Sequence, residues 1–199
     1  MTVEAGDWLV RALQDHNPWW ADGAQAFSLP AREKSDFYHL ARPTEDGSQF
    51  EDQPLLALVG RRGVGKTTLL HQFVHHRIAN GDPPERFLYL PFDGNPLYQL
   101  QSDEQLRRAV RYYERRVLGR VETDRSPIVL VDDVHQIEHP TKSSVDGWGV
   151  PISELVGDES ERHVVVTASA GVQIDRELAE TPVSPTEYDV QPILPEKFR

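Results

Sequence analysis

Cysteine is absent from this 199-residue chain, and methionine occurs only once. Without cysteine the protein has no disulfide, no thiolate metal ligand and no cysteine nucleophile. Long apolar stretches are also missing, since no run reaches the roughly eighteen residues that suggest a membrane-spanning helix. The N-terminal residues lack the basic start and apolar centre of a signal peptide. The sequence therefore predicts a cytoplasmic protein that has no membrane partner.

Lysine is scarce as well, because only four of the 21 basic residues are lysines. The 32 acidic residues outweigh them and give a formal net charge of −11. Such a surface is typical either of an extreme halophile or of an ordinary acidic protein that its charge keeps soluble. This net charge does not favour nucleic acid as a partner, although one group of arginines could still form a local basic patch. These arginines are Arg107, Arg108, Arg111, Arg115 and Arg116.

Short apolar runs alternate with amphipathic stretches over most of the chain after residue 53. Buried parallel strands read as apolar runs, and helices show a period of about 3.6 residues. The predicted strands are residues 55–59, 87–92, 128–131 and 163–167, with a fifth near 188–194 that proline weakens. The predicted helices are residues 7–16, a segment from Lys66, one after a capping box at Ser102 and Gln105, and one near 152–156. This alternation implies an α/β fold with a parallel sheet covered on both faces.

The first quarter of the chain has a less regular pattern. Residues 21–54 are irregular apart from one strand-like stretch at residues 37–40. A single domain is the simplest interpretation. We expect an N-terminal helix and extension, residues 1–52, to pack on a core formed by residues 53–199.

Residues 60–67 read GRRGVGKT and fit the Walker A pattern G-x-x-x-x-G-K-[ST]. A predicted strand precedes the pattern and a predicted helix follows it. A glycine-rich turn that arose by chance would not need these two neighbours. The glycines let successive N–H groups point at phosphate oxygens, and the helix start adds its positive dipole end. Lys66 would contact the β- and γ-phosphates, and the Thr67 hydroxyl would bind Mg²⁺. The residues expected to bind ATP are Gly60, Arg61, Arg62, Gly63, Val64, Gly65, Lys66, Thr67 and Thr68.

Two adjacent carboxylates, Asp132 and Asp133, follow the third predicted strand. In P-loop proteins a strand of this kind ends beside the phosphate loop, where its first carboxylate holds Mg²⁺. We therefore predict Asp132 as a metal-binding residue, acting through water, and Asp133 as the catalytic residue that orients or deprotonates the attacking water. An Asp-Asp turn at a strand end is the alternative, and it would be favoured if the phosphate loop were absent.

The fourth predicted strand ends in Thr167, Ala168 and Ser169. A polar side chain at this place can hydrogen-bond the γ-phosphate or the attacking water, and we assign that role to Thr167 ahead of Ser169. Thr167 thus joins Lys66 and Asp133 in the predicted catalytic set. A plain turn at the strand end is the alternative.

These elements, in this order, resemble the prokaryotic AAA-type ATPases and, among them, the archaeal ATPase-like group. That group typically reads G-x-R-x-x-G-K-T-T-L-L and D-E-[IV]-[QH], where this chain has GRRGVGKTTLL and DDVH at residues 132–135. A later tryptophan at Trp148, a strand that ends in T-[GA]-S, and the stretches at 17–20 and 191–195 are also similar. The resemblance implies a three-layer P-loop NTPase with a five-stranded parallel sheet in the order 5-1-4-3-2. It implies the roles given above for Lys66, Thr67, Asp132, Asp133 and Thr167.

Two departures from the resemblance bear on function. Most members of the group have Glu where Asp133 stands, and Asp is one methylene shorter, so ATP hydrolysis is expected to be slow. The Asp-Asp pair is also similar to the STAND signalling NTPases, so a nucleotide-gated switch with little turnover is the alternative to an ATPase. Family members usually continue into a helical lid and further domains, so this chain would be a fragment or a stand-alone core. Its protein client or additional domain is not identified by the sequence.

Two pairs of histidines are spaced four residues apart, His71 with His75 and His135 with His139. Either pair could hold a metal, yet neither has a third ligand at a suitable spacing. We therefore expect solvated or partly packed histidines, although His135 could reach the nucleotide.

Two adjacent tryptophans, Trp19 and Trp20, stand near the N-terminus. They would either stack on a base or anchor the N-terminal extension on the core. We favour the anchoring role.

Overall fold

The computed structural model describes residues 7–27, 53–92, 102–137, 147–157, 162–179 and 181–190. These residues form one sheet of five parallel strands. The strands are β1 Leu55–Gly60, β2 Phe87–Pro91, β3 Ile128–Asp132, β4 His163–Ser169 and β5 Thr186–Asp189. Their order in the sheet is β2-β3-β4-β1-β5, which is the predicted order 5-1-4-3-2 counted from the other edge. The predicted fold class is therefore confirmed.

Helices connect and cover these strands. They are α1 Asp7–His16, α2 Trp19–Asp22, α3 Lys66–Ala79, α4 Asp103–Arg116, α5 Gly149–Gly157 and α6 Ile174–Leu178. Single 3₁₀ turns occupy Gly23–Ala26, Pro84–Arg86, Leu118–Arg120 and Val134–Gln136. No helix in the described parts of the chain is long and apolar enough to cross a bilayer.

The helices lie on both faces of the sheet and complete three layers. On one face α3 packs against the strands, and its Leu70 and Phe73 share an apolar cluster with Leu56. On the opposite face α1, α4, α5 and α6 share a second cluster with Leu55 and Ala57. Successive residues of β1 thus enter opposite layers, which is why this strand reads as a continuous apolar run.

The predicted start of one helix is confirmed, whereas the predicted position of one strand is partly wrong. The predicted capping box at the start of α4 is confirmed, since the Gln105 N–H donates to Ser102 Oγ at 3.4 Å and the Ser102 N–H donates to Gln105 Oε1 at 3.2 Å. The predicted position of the fifth strand is partly wrong, because β5 begins at Thr186 and residues 191–199 lie outside the described residues. The sequence of β5, TEYD, is polar, so no apolar run marks it.

Two short helices were not predicted, and one predicted strand lies outside the described residues. The helices α2 and α6 were not predicted, because four and five residues are too few to show a helical period. The strand-like stretch at residues 37–40 lies outside the described residues. The division into an extension, residues 1–52, and a core, residues 53–199, stays a prediction.

Candidate functional site

The phosphate loop lies between β1 and α3, as the sequence predicts. Gly65 has a φ of 101°, a left-handed conformation that a side chain would strain, and it immediately precedes the first residue of α3. Gly60 closes β1, and a Cβ there would lie 2.7 Å from the carbonyl oxygen of Val190. Both glycines are therefore needed for the loop to turn sharply while packing against the chain that follows β5.

Lys66 is almost buried, with 7% of its surface exposed. Its ammonium group donates to the carbonyl oxygens of Gly60 at 3.0 Å and Arg61 at 3.2 Å, so it folds back across the mouth of the loop. The neighbouring Arg61, Arg62, Gly63 and Thr67 are exposed, whereas Val64, Gly65 and Thr68 are half-buried. The charge of Lys66 is thus held against neutral carbonyl groups, a partner set that an anion could replace.

Asp132 ends β3 and is 2% exposed. Three hydroxyl groups from three other elements donate to its carboxylate. Thr67 Oγ1 of α3 and Tyr89 Oη of β2 donate to Oδ2 at 2.6 and 2.9 Å, and Thr167 Oγ1 of β4 donates to Oδ1. The predicted metal-binding pair, Thr67 and Asp132, is therefore in direct contact.

The oxygen donors at this place fit magnesium. Mg²⁺ prefers carboxylate, hydroxyl and water oxygens, and beside a nucleotide it needs only one or two protein ligands plus phosphate oxygens. Within the described ranges no group of three or more His, Cys, Asp or Glu side chains could hold a metal by itself. The oxygen donors of Thr67 and Asp132 are thus compatible with magnesium beside a nucleotide, magnesium binding stays a prediction, and His139 lies outside the described residues.

Asp133 follows directly and has a φ of 55° and a ψ of 47°. Among the described residues it alone combines a side chain with a positive φ. Aspartate tolerates this left-handed conformation better than most residues, and such conformations cluster at functional sites at a cost of about 1–3 kcal/mol. The turn places the Asp133 side chain, which is half-buried, just beyond the end of β3.

Thr167 is fully buried and connects the two aspartates. Its hydroxyl donates to Asp132 and accepts a hydrogen bond from the Asp133 N–H at 2.8 Å. The structure thus gives Thr167 a role in holding both carboxylate-bearing residues. Contact of Thr167 with a γ-phosphate or a water stays a prediction. Ser169, two residues later, is half-buried, and its Oγ lies 3.4 Å from Nε2 of His135.

Tyr89 is the residue of this cluster that sequence analysis missed. It stands in an apolar run, and its register partner on β3 is Leu130, so neither pattern nor pairing marks it. The available signal was a hydroxyl-bearing side chain on a predicted strand. Using that signal requires knowing that β2 and β3 are neighbours and that the side chain reaches toward the end of β3.

The side chains of His71, His75 and Trp19 pack against other aromatic rings. His71 lies edge-on to Tyr89 at 4.7 Å between ring centroids, and His75 lies edge-on to Phe27 at 5.3 Å. Burial lowers the pKa of His71 below its usual range, and the charge of Asp132 opposes this shift only in part. Trp19 is 1% exposed and donates its indole N–H to the Phe87 carbonyl at 3.2 Å, so its predicted anchoring role is confirmed.

The arginines of α4 do not act as one group. Arg107 donates to Asp103 at 3.0 Å and to Glu154 at 2.7 Å, so it belongs to an ion-paired surface. Its pKa is raised by these partners, and the hydrogen bond that Arg107 donates to Glu154 is the main cause. Arg108 is half-buried, and the exposed members are Arg111, Arg115 and Arg116. Nucleic-acid binding by this helix stays a hypothesis that the net charge does not favour.

Comparison with known proteins gives one family and a few distant relatives. The family model of the AAA domain matches residues 52–198. An uncharacterised protein of Methanocaldococcus jannaschii is 26% identical over 168 residues, which are 84% of this chain and 32% of that protein. This chain therefore spans about a third of the curated relative that it matches.

Two solved structures are similar at a low level. C. elegans PCH-2 has a TM-score of 0.43 and 18% identity, with coverage of 81% of this chain and 42% of that chain. A chain of the E. coli MS115-1 HORMA:CdnC:Trip13 complex has a TM-score of 0.41 and 16% identity, with coverage of 95% and 64%.

Proposed function

Because this chain belongs to the AAA domain family and carries a P-loop ATPase-type core, we propose that it binds ATP with Mg²⁺ and hydrolyses the nucleotide slowly. The observation that carries the proposal is the 2.6 Å hydrogen bond from Thr67 Oγ1 to Asp132 Oδ2. It joins the helix start that follows the phosphate loop to the end of the acidic strand. This contact between two residues that are far apart in sequence supports their proposed role as the magnesium-binding pair.

The phosphate loop supplies the nucleotide-binding part of the function. Its backbone N–H groups and the N-terminus of α3 favour an anion, because the first N–H groups of a helix have no partner within the helix. Lys66 would exchange its two carbonyl partners for the β- and γ-phosphate oxygens, which are stronger acceptors because they are charged. ATP and ADP are the proposed ligands.

Thr67 and Asp132 would hold the metal, Thr67 directly and Asp132 through water. When bound, Mg²⁺ offsets the negative charge of the β- and γ-phosphates. The hydroxyls of Tyr89 and Thr167 keep the Asp132 carboxylate in one orientation.

Asp133 would carry the hydrolytic step. Its carboxylate orients the attacking water and accepts its proton as the bond to the γ-phosphorus forms and the bond to the β–γ bridging oxygen breaks. Thr167 fixes the backbone of Asp133 through the bond to its N–H, and a direct contact of Thr167 with the reacting groups is a second part of the proposal.

The test separates binding from hydrolysis. Equilibrium titration with a fluorescent ATP analogue should show that Lys66→Ala weakens binding by about 10- to 100-fold, because a charge-assisted contact is lost. Lys142→Ala, the same change outside the loop pattern, serves as the matched control. Release of inorganic phosphate should fall below detection for Asp133→Asn while nucleotide binding remains. Equal binding by the wild type and Lys66→Ala would refute the phosphate-loop assignment.

A nucleotide-gated switch with negligible turnover is the second candidate. The observation that favours it is Asp133 itself, since its side chain is one methylene shorter than Glu and starts from a left-handed turn. If reach limits hydrolysis, Asp133→Glu should raise the rate of phosphate release severalfold over the wild type. Tight binding without turnover in both proteins would support the switch. Its client, a protein or a further domain of a longer chain, would then respond to bound ATP.

A further inference from the structure

Residues 17–20, called here the edge strap, run along the outer side of β2. This strand is the last one in the described sheet, so its outer side has no neighbouring strand. The Tyr89 N–H donates to Asn17 Oδ1 at 2.6 Å, and Asn17 Nδ2 donates to the Tyr89 carbonyl at 3.0 Å. The Asn17 side chain, which is 1% exposed, therefore makes the pair of bonds that a neighbouring strand residue would make.

The tryptophans of the edge strap hydrogen-bond another backbone group on the outer side of β2. Trp19 Nε1 and Trp20 Nε1 both donate to the Phe87 carbonyl, at 3.2 and 2.9 Å. Further along the strand Pro91 has no N–H to leave unpaired. The strap thus covers the outer edge of β2 with side chains, which also prevents another strand from pairing there.

Tyr89 links this edge to the nucleotide site. Its backbone N–H and carbonyl are both bonded to Asn17, while its hydroxyl donates to Asp132 Oδ2 at 2.9 Å. The ring between these two ends is 95% buried and packs edge-on against His71 at 4.7 Å and Trp19 at 6.5 Å between centroids. Because both ends and the ring are held, the hydroxyl has little freedom to leave the carboxylate.

We propose that Asn17 and Tyr89 are positioning residues for the magnesium site, so that affinity for magnesium-bound nucleotide depends on the edge strap. This inference rests on the proposed function of the phosphate loop. Asn17 fixes the backbone of Tyr89, and the Tyr89 hydroxyl fixes the carboxylate of Asp132.

The donor arrangement around Asp132 explains why Tyr89 matters more than its neighbours. Asp132 Oδ1 is held by Thr167, and Oδ2 is shared by Thr67 and Tyr89. The Thr67 hydroxyl is itself the proposed magnesium ligand. Tyr89 is therefore the described side chain that holds Oδ2 without being a proposed ligand of the metal. Residues that orient a metal ligand typically contribute about 10- to 100-fold to metal affinity.

The experiment measures how much Mg²⁺ improves the binding of a fluorescent ATP analogue, with titrations in excess Mg²⁺ and in EDTA. Tyr89→Phe removes one oxygen and should reduce the improvement by about tenfold, with affinity in EDTA unchanged. Tyr113→Phe is the matched control, because Tyr113 is 1% exposed and its hydroxyl has no hydrogen-bond partner among the described residues. It should behave as the wild type does.

The edge strap is tested by a second pair of variants. Asn17→Ala frees the backbone of Tyr89 and should reduce the effect of Mg²⁺ in the same direction as Tyr89→Phe. Trp20→Phe removes the bond to the Phe87 carbonyl and reduces the ring that stacks on Tyr113, but it retains both Asn17 bonds to Tyr89, so it should leave that effect unchanged. If Asn17→Ala does not fold, Asn17→Ser, which retains a hydroxyl, replaces it. A magnesium effect of wild-type size in Tyr89→Phe or in the folded Asn17 variant overturns the proposal.

Thermal unfolding without nucleotide distinguishes this proposal from the proposed function. Tyr89→Phe should lower the unfolding midpoint more than Tyr113→Phe does, because only Tyr89 bonds a buried carboxylate. If this difference is found in a protein that binds no ATP, the contact between Tyr89 and Asp132 exists but the proposed nucleotide function is wrong. The positioning role would then be refuted as well. Nucleotide binding that responds to Mg²⁺ equally in all variants would leave the proposed function intact and refute the positioning role alone.

Discussion

The buried charges at the nucleotide site and those beside the start of β2 are stabilised in different ways. Near β2, Asp82 accepts hydrogen bonds from Arg86 at 2.7 Å and Arg77 at 2.8 Å, so opposite charges neutralise one another. In the nucleotide site Lys66 bonds to carbonyl groups and Asp132 bonds to hydroxyls. Neither forms an ion pair with any residue in the described part of the chain. Buried charges without opposite charges are costly for folding, and they mark a place where a charged ligand can complete the site.

A similar contrast separates the hydrogen bonds of the edge strap from those of the phosphate site. Asn17 bonds to the backbone of Leu13 and Tyr89, which no ligand could displace without opening the sheet edge. The bonds of Lys66 and Thr67 join groups that a phosphate and a metal could take over. We therefore interpret the bonds of the edge strap as structural. The bonds of the phosphate site are ones that a bound phosphate or metal could replace.

The largest expected effect comes from the ion-paired region. Asp82→Ala leaves Arg86, which is 1% exposed, without its buried carboxylate, and should lower the free energy of unfolding by about 3–5 kcal/mol. Urea denaturation followed by circular dichroism measures this change.

Lys66→Met is the comparison for Asp82→Ala. It removes a buried charge that has no ion-pair partner in the described part of the chain, so we expect the free energy of unfolding to stay the same or to rise. A loss as large as that of Asp82→Ala would mean that Lys66 is a structural charge.

Asn17→Ala should have the second-largest effect on stability. It removes both hydrogen bonds that Asn17 makes to the buried Tyr89 backbone and should cost roughly 2–4 kcal/mol. Asn80→Ala is the matched control, since Asn80 donates to the His76 carbonyl at 2.7 Å but is exposed. Water can replace that bond, so the control should change stability by less than about 1 kcal/mol. Similar losses in both variants would contradict the structural role of the edge strap.

A smaller effect is expected from the backbone of Asp133. Asp133→Gly relieves the left-handed conformation, and Asp133→Val makes it worse, because a β-branched residue tolerates a positive φ poorly. The glycine variant should be more stable than the valine variant by about 1–2 kcal/mol, although both lose the carboxylate and with it phosphate release. Thermal unfolding and a phosphate assay on the same samples check both outcomes. Equal stability of the two variants would argue against the left-handed turn.

The smallest effect is a pH dependence that arises from His71. Burial lowers the pKa of His71 in the folded protein, so the unfolded chain binds its proton more readily. This contribution to stability is present above the unfolded pKa of about 6.5 and is lost as the pH falls through the lower folded pKa. His71→Phe should flatten the decline of the unfolding midpoint below pH 6.5, by less than about 1 kcal/mol in free energy. His76→Gln, on the same helix, is the control and should retain the wild-type decline.

The features that the sequence predicts correctly are those that depend on neighbouring residues. The phosphate loop was predicted because glycine, lysine and threonine must follow one another at fixed spacing. The strands β1 to β4 were predicted because burial on both faces leaves a continuous apolar run. The fifth strand was placed too late, since TEYD at the sheet edge carries no such run. The strand order came from the resemblance to AAA-type ATPases and is confirmed by the observed pairing.

The sequence by itself thus determined that an apolar strand, a phosphate loop and a helix follow one another, and that two carboxylates end a later strand. These features depend on neighbours along the chain, where backbone conformation and hydrophobic period act directly. The tertiary structure alone decided that Tyr89 and Thr167 hold Asp132, and that Asn17 covers the sheet edge and holds Tyr89. Such contacts join residues far apart in sequence, and the packing of the sheet determines which of them meet.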